Sequence, residues 1–291
     1  MFFRSKIRLK FVALCLVLIA IVLATISCGL DDIVGDGDLS IEDQAATVQA
    51  MIEEQLGTLQ APSATPEPSA TIQTLDCSAA TFNLDPSVAA SVTFEMVPQA
   101  VGDPTLPFMI NPDTAKYSFQ GYVVAGHFHD PILRIYPVDD YAALDPTIAN
   151  SAANLAIMLQ NQPNDPTVGI PALPRWNAAQ MLRAKISYIQ FQNGSGVRFL
   201  TQYGQAYWLV NNQDAFYSFQ GLTRDGACWI SAIFPVSNPA LPNVGAPPSG
   251  GEPGALAYYV DIVTQLNAMG DASFLPDLHA LDALIASLLV Q

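Results

Sequence analysis

An α+β fold, an antiparallel meander with helices packed on it, is predicted by three features of the 291-residue chain. Residues 185–236 carry successive strand patterns separated by turn signals. Three more strand patterns precede them, at 92–96, 117–124 and 132–138. Helical spacing then appears at 145–163 and again in two segments that close the chain. Half of the residues are apolar, so a substantial core is available.

The N-terminal elements set the context. Arg4, Lys6, Arg8 and Lys10 precede the apolar run FVALCLVLIAIVLATI at 11–26. A positive segment followed by an apolar one is the layout of a secretory signal, predicted here over 1–27. The run is slightly short for a spanning helix, which needs about 20 residues. Thr25-Ile26-Ser27-Cys28-Gly29 resembles a bacterial lipobox, although Thr25 replaces the usual aliphatic residue. That resemblance implies cleavage before Cys28, diacylation of Cys28 and anchoring to a bacterial membrane through the N-terminal lipid. Several acyl chains together hold firmly where one would be marginal. The alternative is an uncleaved signal anchor; in either case the body of the protein is extracytoplasmic.

Charge narrows the partners. Four of the 11 basic residues lie in the first ten positions, and the remaining 7 face 26 acidic ones, a net charge of −19. Such a surface repels nucleic acid phosphates and anionic head groups alike. Nucleic acid is thereby excluded as a partner. Of the four cysteines, Cys15 lies in the apolar run and Cys28 in the lipobox-like motif. Cys77 and Cys228 remain, an even pair in an oxidising compartment, and a disulfide between them is expected. It would pin the start of the domain to the last meander strand; the alternative is two buried thiols.

Residues 28–75 read as an acidic stalk. Asp31, Asp32, Asp36 and Asp38 suggest calcium, but the loop pattern with a terminal glutamate is missing. Ser40 and Asp43 form a capping-box-like start for a helix striped by Ile41, Ala45, Val48, Ile52 and Leu56. APSATPEPSAT, at 61–71, cannot bury a core and reads as an extended linker.

A single domain is expected over 76–291. Val92, Phe94 and Met96 alternate with polar residues as a half-buried strand. GHFHDP turns the chain between the next two strands. Asp145-Pro146 starts a helix striped by Ile148, Ala152, Leu155 and Leu159 and stopped at Pro163. After a proline-rich loop, Asn177 is expected to cap a short helix AAQML. Within the meander, Asn193-Gly194-Ser195-Gly196 is a strong turn signal, and Arg224-Asp225-Gly226 is another. The long 237–254 loop is either a lid or disordered. The closing helices carry the stripes Leu256, Val260, Val263, Leu266 and Leu278, Leu281, Ile285, Leu288. Tyr-Ser-Phe-Gln-Gly occurs at both 117–121 and 217–221, and Ile-Tyr-Pro-Val at 135–138 is echoed by Ile-Phe-Pro-Val at 233–236. Two hairpins of similar build in one sheet are expected, through duplication or through convergence.

Chemical candidates are few. His127 and His129 are spaced to face one way in extended chain and could share a metal, but a third ligand is not evident; the alternative is a polar turn with solvated histidines. His279 with Asp282 reads as helix surface. No nucleophile elbow, zinc-protease motif, P-loop or dinucleotide glycine pattern occurs, and no motif implies a cofactor. Trp176, Trp208 and Trp229, with Tyr207, Tyr258 and Tyr259, could include a sugar-stacking platform, although core packing is the commoner fate of such residues.

The runs NGSGVRFLTQYGQ, NNQDAFYSFQGLTRDG and WISAIFPV resemble a family of bacterial lipoproteins with no assigned activity. The resemblance spans about residue 76 to the closing LDALIASLLV and transfers no catalytic residues. The arrangement of sheet and helices is also similar to PsbP-like domains, at the level of fold only. The expected role is a non-enzymatic binding or accessory module for an envelope protein or glycan. Two alternatives stand beside it: an envelope hydrolase assisted by metal at His127 and His129, and a structural subunit self-associating through the stalk helix.

Overall fold

The computed structural model describes residues 75–291, apart from Pro104, Thr167 and Val168. The predicted signal, the lipidation site Cys28 and the stalk helix fall outside the described residues. The described residues form one compact unit.

Among the described residues thirteen strands and four α-helices follow in order. The strands are β1 (Ala80–Thr81), β2 (Ser91–Val97), β3 (Ala100–Val101), β4 (Ile110–Asn111), β5 (Thr114–Gln120) and β6 (Ile132–Pro137), then β7 (Ala179–Gln180), β8 (Ala184–Phe191), β9 (Gly194–Thr201), β10 (Tyr203–Gly204), β11 (Phe216–Thr223), β12 (Cys228–Pro235) and β13 (Leu289–Val290). Helices α1 (Val138–Leu144) and α2 (Thr147–Asn161) follow β6; α3 (Gly251–Ala268) and α4 (Leu278–Ala286) follow β12.

Seven strands make one antiparallel sheet in the order β2-β5-β6-β12-β11-β9-β8. The predicted meander is its second half. The sheet carries a core on each face. One face packs Ile262, Leu266, Leu281 and Ile285 of α3 and α4 against Phe219, Ile230 and Phe234. The other packs Tyr141, Ile148 and Leu155 of α1 and α2 against Val197, Phe199 and Trp229. Strands β11 and β12 are therefore buried along their whole length, including the polar Ser218, Gln220 and Ser231, which bond to one another and to the Leu173 backbone and Trp229.

The two YSFQG hairpins do sit in one sheet, with β6 beside β12. Their registers differ: Tyr117 lies opposite Leu133, whereas Tyr217 lies opposite Phe234. The following helices cover opposite faces, so the likeness stops at the sheet.

The Cys77–Cys228 disulfide is formed and joins the domain's first residues to β12. Cys77 adopts a left-handed backbone, held by Asp76, whose carboxylate accepts from the backbone N–H and the hydroxyl of Ser78. Strand β1 pairs with β13, and Asn193, in the β8–β9 turn, donates to the Val290 carbonyl. Both ends of the described chain are thus fastened at the pole of the sheet that carries the β8–β9 and β11–β12 turns.

Several expectations are corrected. AAQML is not a helix: Ala179 and Gln180 pair with Gly204 and Tyr203, and the Gln180 amide bonds the Ile170 backbone across the loop. The first hairpin turn is Gln192-Asn193, and Gly194 begins the return strand. Cβ atoms at Gly194 and Gly196 would overlap the rings of Phe191 and Phe219, so these glycines serve ring clearance rather than turn geometry. In α3 the buried residues are Ala255, Tyr259, Ile262 and Leu266, while Leu256 and Val260 are 53% and 68% exposed. Phe94 and Met96 are also exposed, because β2 is an edge strand beyond the reach of α3 and α4. The 237–254 segment is shortened by α3, which takes 251–254. The rest is fastened: Asn238 N–H donates to Asn212 Oδ1, and Asn212 Nδ2 to the Leu241 carbonyl.

Candidate aromatic cleft

Three loops meet at the pole opposite the disulfide: 121–131 between β5 and β6, 205–215 ahead of β11, and the segment after β12. Between them lies a cleft of about 420 Å³, within the size range of small-ligand sites. Phe128, Trp208 and Val244 line it with exposed apolar surface; Phe128 is 69% and Trp208 42% accessible. Tyr203 and His129 contribute to the floor, and Gln205, Gln213 and Asp214 add polar groups.

The floor is an aromatic stack. His129 meets Trp176 and Phe216 edge to face, each with ring centroids 4.7 Å apart, and Phe128 at 4.9 Å. Trp176 stacks on Tyr203, and Tyr203 on Phe216. Burial strips water from His129, only 8% exposed, and lowers its pKa to about 4; Asp214 opposes the shift without offsetting it. The imidazole is neutral at physiological pH.

The walls are held from below. Asn211 is fully buried. Its Oδ1 accepts from the backbone N–H groups of Gln213 and Asp214 at 3.0 and 3.2 Å, and its Nδ2 donates to Asp214 Oδ2 at 2.9 Å. A Cβ at Gly245 would press on that amide, so the third loop approaches closely only as glycine. Helix α3 supplies Tyr259, whose hydroxyl donates to the Trp208 carbonyl at 2.7 Å, and Tyr258, whose hydroxyl accepts from Val210 N–H. Phe128 N–H donates to the Gln213 carbonyl at 2.8 Å. The exposed rings therefore stand on a fixed backbone.

The structure separates the sequence candidates. Trp176 and Trp208 reach the cleft region, Tyr258 and Tyr259 brace it, and Tyr207 lies alongside, its ring near Tyr259. Trp229 is core, its indole N–H bonded to Gln220 Oε1. His127 and His129 part company: the first packs on Tyr122 and the second enters the aromatic floor. His129 is buried and so departs from the solvated polar turn, whereas His127 stays partly exposed. Among the described residues no group of three His, Cys, Asp or Glu side chains is placed to hold a metal. Sequence reasoning missed Phe128, Tyr203, Asn211, Gln213 and Asp214 as site residues. The NNQD run offered a signal, since adjacent asparagines ahead of a strand commonly organise turns through their side chains.

A second constellation is ionic. Arg198, 4% exposed in the middle of β9, reaches Asp271 at 2.5 Å and Asp282 at 3.3 Å. Lys185 Nζ lies 2.5 Å from Asp271, and Tyr217 donates to Asp282 at 2.9 Å. Burial leads at both carboxylates. At Asp282 it prevails and raises the pKa; at Asp271 the bonds from Lys185 and Arg198 outweigh it and the pKa falls. Two cations meet two anions, so the cluster is balanced and ties β8 and β9 to the α3–α4 connection. It belongs to the scaffold.

Neither protein-family models, nor curated proteins, nor solved structures yield a match to this chain. Among the described residues no helix is long and apolar enough to cross a membrane.

Proposed function

We propose that this chain is an extracytoplasmic lipoprotein, anchored through lipid on Cys28, whose domain is a non-enzymatic binding or accessory module for an envelope protein or glycan. The observation that carries the reading is the aromatic cleft, where large rings are held in water on a braced backbone. Exposed aromatic surface kept in place by buried hydrogen bonds is a feature of recognition sites. The lipobox-like Thr25-Ile26-Ser27-Cys28 supports the anchor, and the Cys77–Cys228 disulfide suits an oxidising compartment. The metal-assisted alternative lacks comparable support, because His129 is committed to the aromatic floor.

Two measurements test this reading. Metabolic labelling with a palmitate analogue should mark the wild-type chain and leave Cys28→Ser unlabelled; an unlabelled wild type rejects the anchor. Cross-linking capture from native membranes should recover an envelope component with the wild type and lose it with Trp208→Ala. Equal recovery with both rejects the cleft as the binding site.

A further inference from the structure

We propose that the cleft is a saccharide subsite, in which an uncharged sugar ring lays its C–H face on Phe128 and Trp208 while its hydroxyls reach Gln213 and Asp214. This deepens the binding-module reading and rests on it. The lining of the cleft mixes apolar and polar surface. Phe128 and Trp208 offer exposed aromatic faces on the walls of one cleft. A purely aliphatic ligand would use them but would strip water from the polar lining beside them without replacing its hydrogen bonds. A sugar has both surfaces, one apolar face and an equatorial rim of hydroxyls.

Hydrogen-bond polarity sharpens the choice. Asn211 engages Asp214 Oδ2 and the Gln213 backbone, and among the described residues Asp214 Oδ1 and the Gln213 side-chain amide have no hydrogen-bond partner. The carboxylate can only accept. A proline-rich peptide, the other usual occupant of aromatic grooves, presents mainly carbonyl acceptors, which Asp214 would repel. Sugar hydroxyls donate to a carboxylate and both donate to and accept from an amide. Charge points the same way: the cleft lining contains no Lys or Arg, and the domain is strongly acidic, so an anionic glycan would be disfavoured. The volume, about 420 Å³, is appropriate to a short oligosaccharide segment rather than a long tract.

The full chain, purified in detergent micelles, is titrated with chitotetraose, cellotetraose and maltotetraose, read by tryptophan fluorescence and calorimetry. A decaproline peptide is titrated in parallel. Saturable binding of at least one sugar is expected, weakened about tenfold or more by Trp208→Ala, and weakened also by Asp214→Asn, which keeps the shape of the side chain. Circular dichroism of each variant confirms folding, and Phe128→Ala supplies an independent loss at the facing wall. Absence of sugar binding, or sugar binding indifferent to both Trp208→Ala and Phe128→Ala, overturns the proposal. Binding of decaproline alone overturns it too. If the sugars fail while cross-linking still captures a protein in a Trp208-dependent way, the binding-module reading stands and only the saccharide assignment falls.

Discussion

At His129 a titratable ring is placed where an apolar one would serve. Its pKa of about 4 in the folded chain lies below the ordinary 6.5, so the folded state resists protonation. The resulting stability is present above about pH 6.5 and drains away as pH falls toward 4. Between about pH 7 and pH 5 the loss should reach about 2 kcal/mol. Urea denaturation across that range should show the decline in the wild type and a flatter profile in His129→Phe; parallel profiles would contradict the buried-neutral assignment. From the sequence, His127 and His129 read either as two ligands of one metal or as solvated residues of a polar turn. Spacing alone could not reveal that this loop bends, so that His127 packs on Tyr122 while His129 enters the stack of Trp176 and Phe216. The glycines were misread for a related reason. Asn193-Gly194 is a strong turn signal, yet Gly194 gives room to Phe191 of its own hairpin and to the Leu222 carbonyl, and Gly196 to Phe219; Leu222 and Phe219 belong to the neighbouring strand β11.

The seven strands of the main sheet were legible because turn signals bound them, whereas two-residue strands such as β7 and β10 exist only through their pairing and carry no pattern of their own; the helix faces were less legible. Helix α3 is apolar on more than one side, and only the position of the sheet decides that Tyr259 and Ile262 are buried while Leu256 and Val260 are not. Helix α1 follows β6 without a break and shows no cap of its own, which left the sequence without a boundary to mark it. The link between elements that sequence conceals most fully is the Arg198 cluster, whose members are up to 97 positions apart (Lys185 to Asp282). Removing the guanidinium would leave Asp271 and Asp282 under-compensated in a largely buried site. Arg198→Ala should cost about 3–5 kcal/mol, whereas Arg198→Ala combined with Asp282→Ala should cost less than the sum of the two single changes. Urea denaturation of the four proteins closes the cycle, and simple additivity would show that the cluster is not coupled.

Across the whole molecule, a disulfide closes a separation of 151 residues. The chain-entropy model assigns such a closure roughly 5 kcal/mol. Replacing both Cys77 and Cys228 by serine should lower stability by about 2–5 kcal/mol, measured by urea denaturation without reductant. Wild type under reductant should approach the double variant, and an unchanged midpoint would show that β1, β13 and the Asn193 bonds suffice without the crosslink. This pairing could be inferred from cysteine arithmetic alone. The cleft could not, since it is assembled from three loops whose meeting depends on the order of strands in the sheet. That order has a mechanical consequence. A pull applied to the N-terminal end of the domain enters at Cys77 and passes through a covalent bond into β12, in the interior of the sheet. Load on that end therefore reaches strands held on both sides by neighbours without first passing along residues 78–90 or peeling the edge strand β2, and the three loops lie at the far pole. A load that ends on a ligand in the cleft still crosses those loops, but it arrives there through a hydrogen-bonded sheet and not through the peptide that leads into the domain.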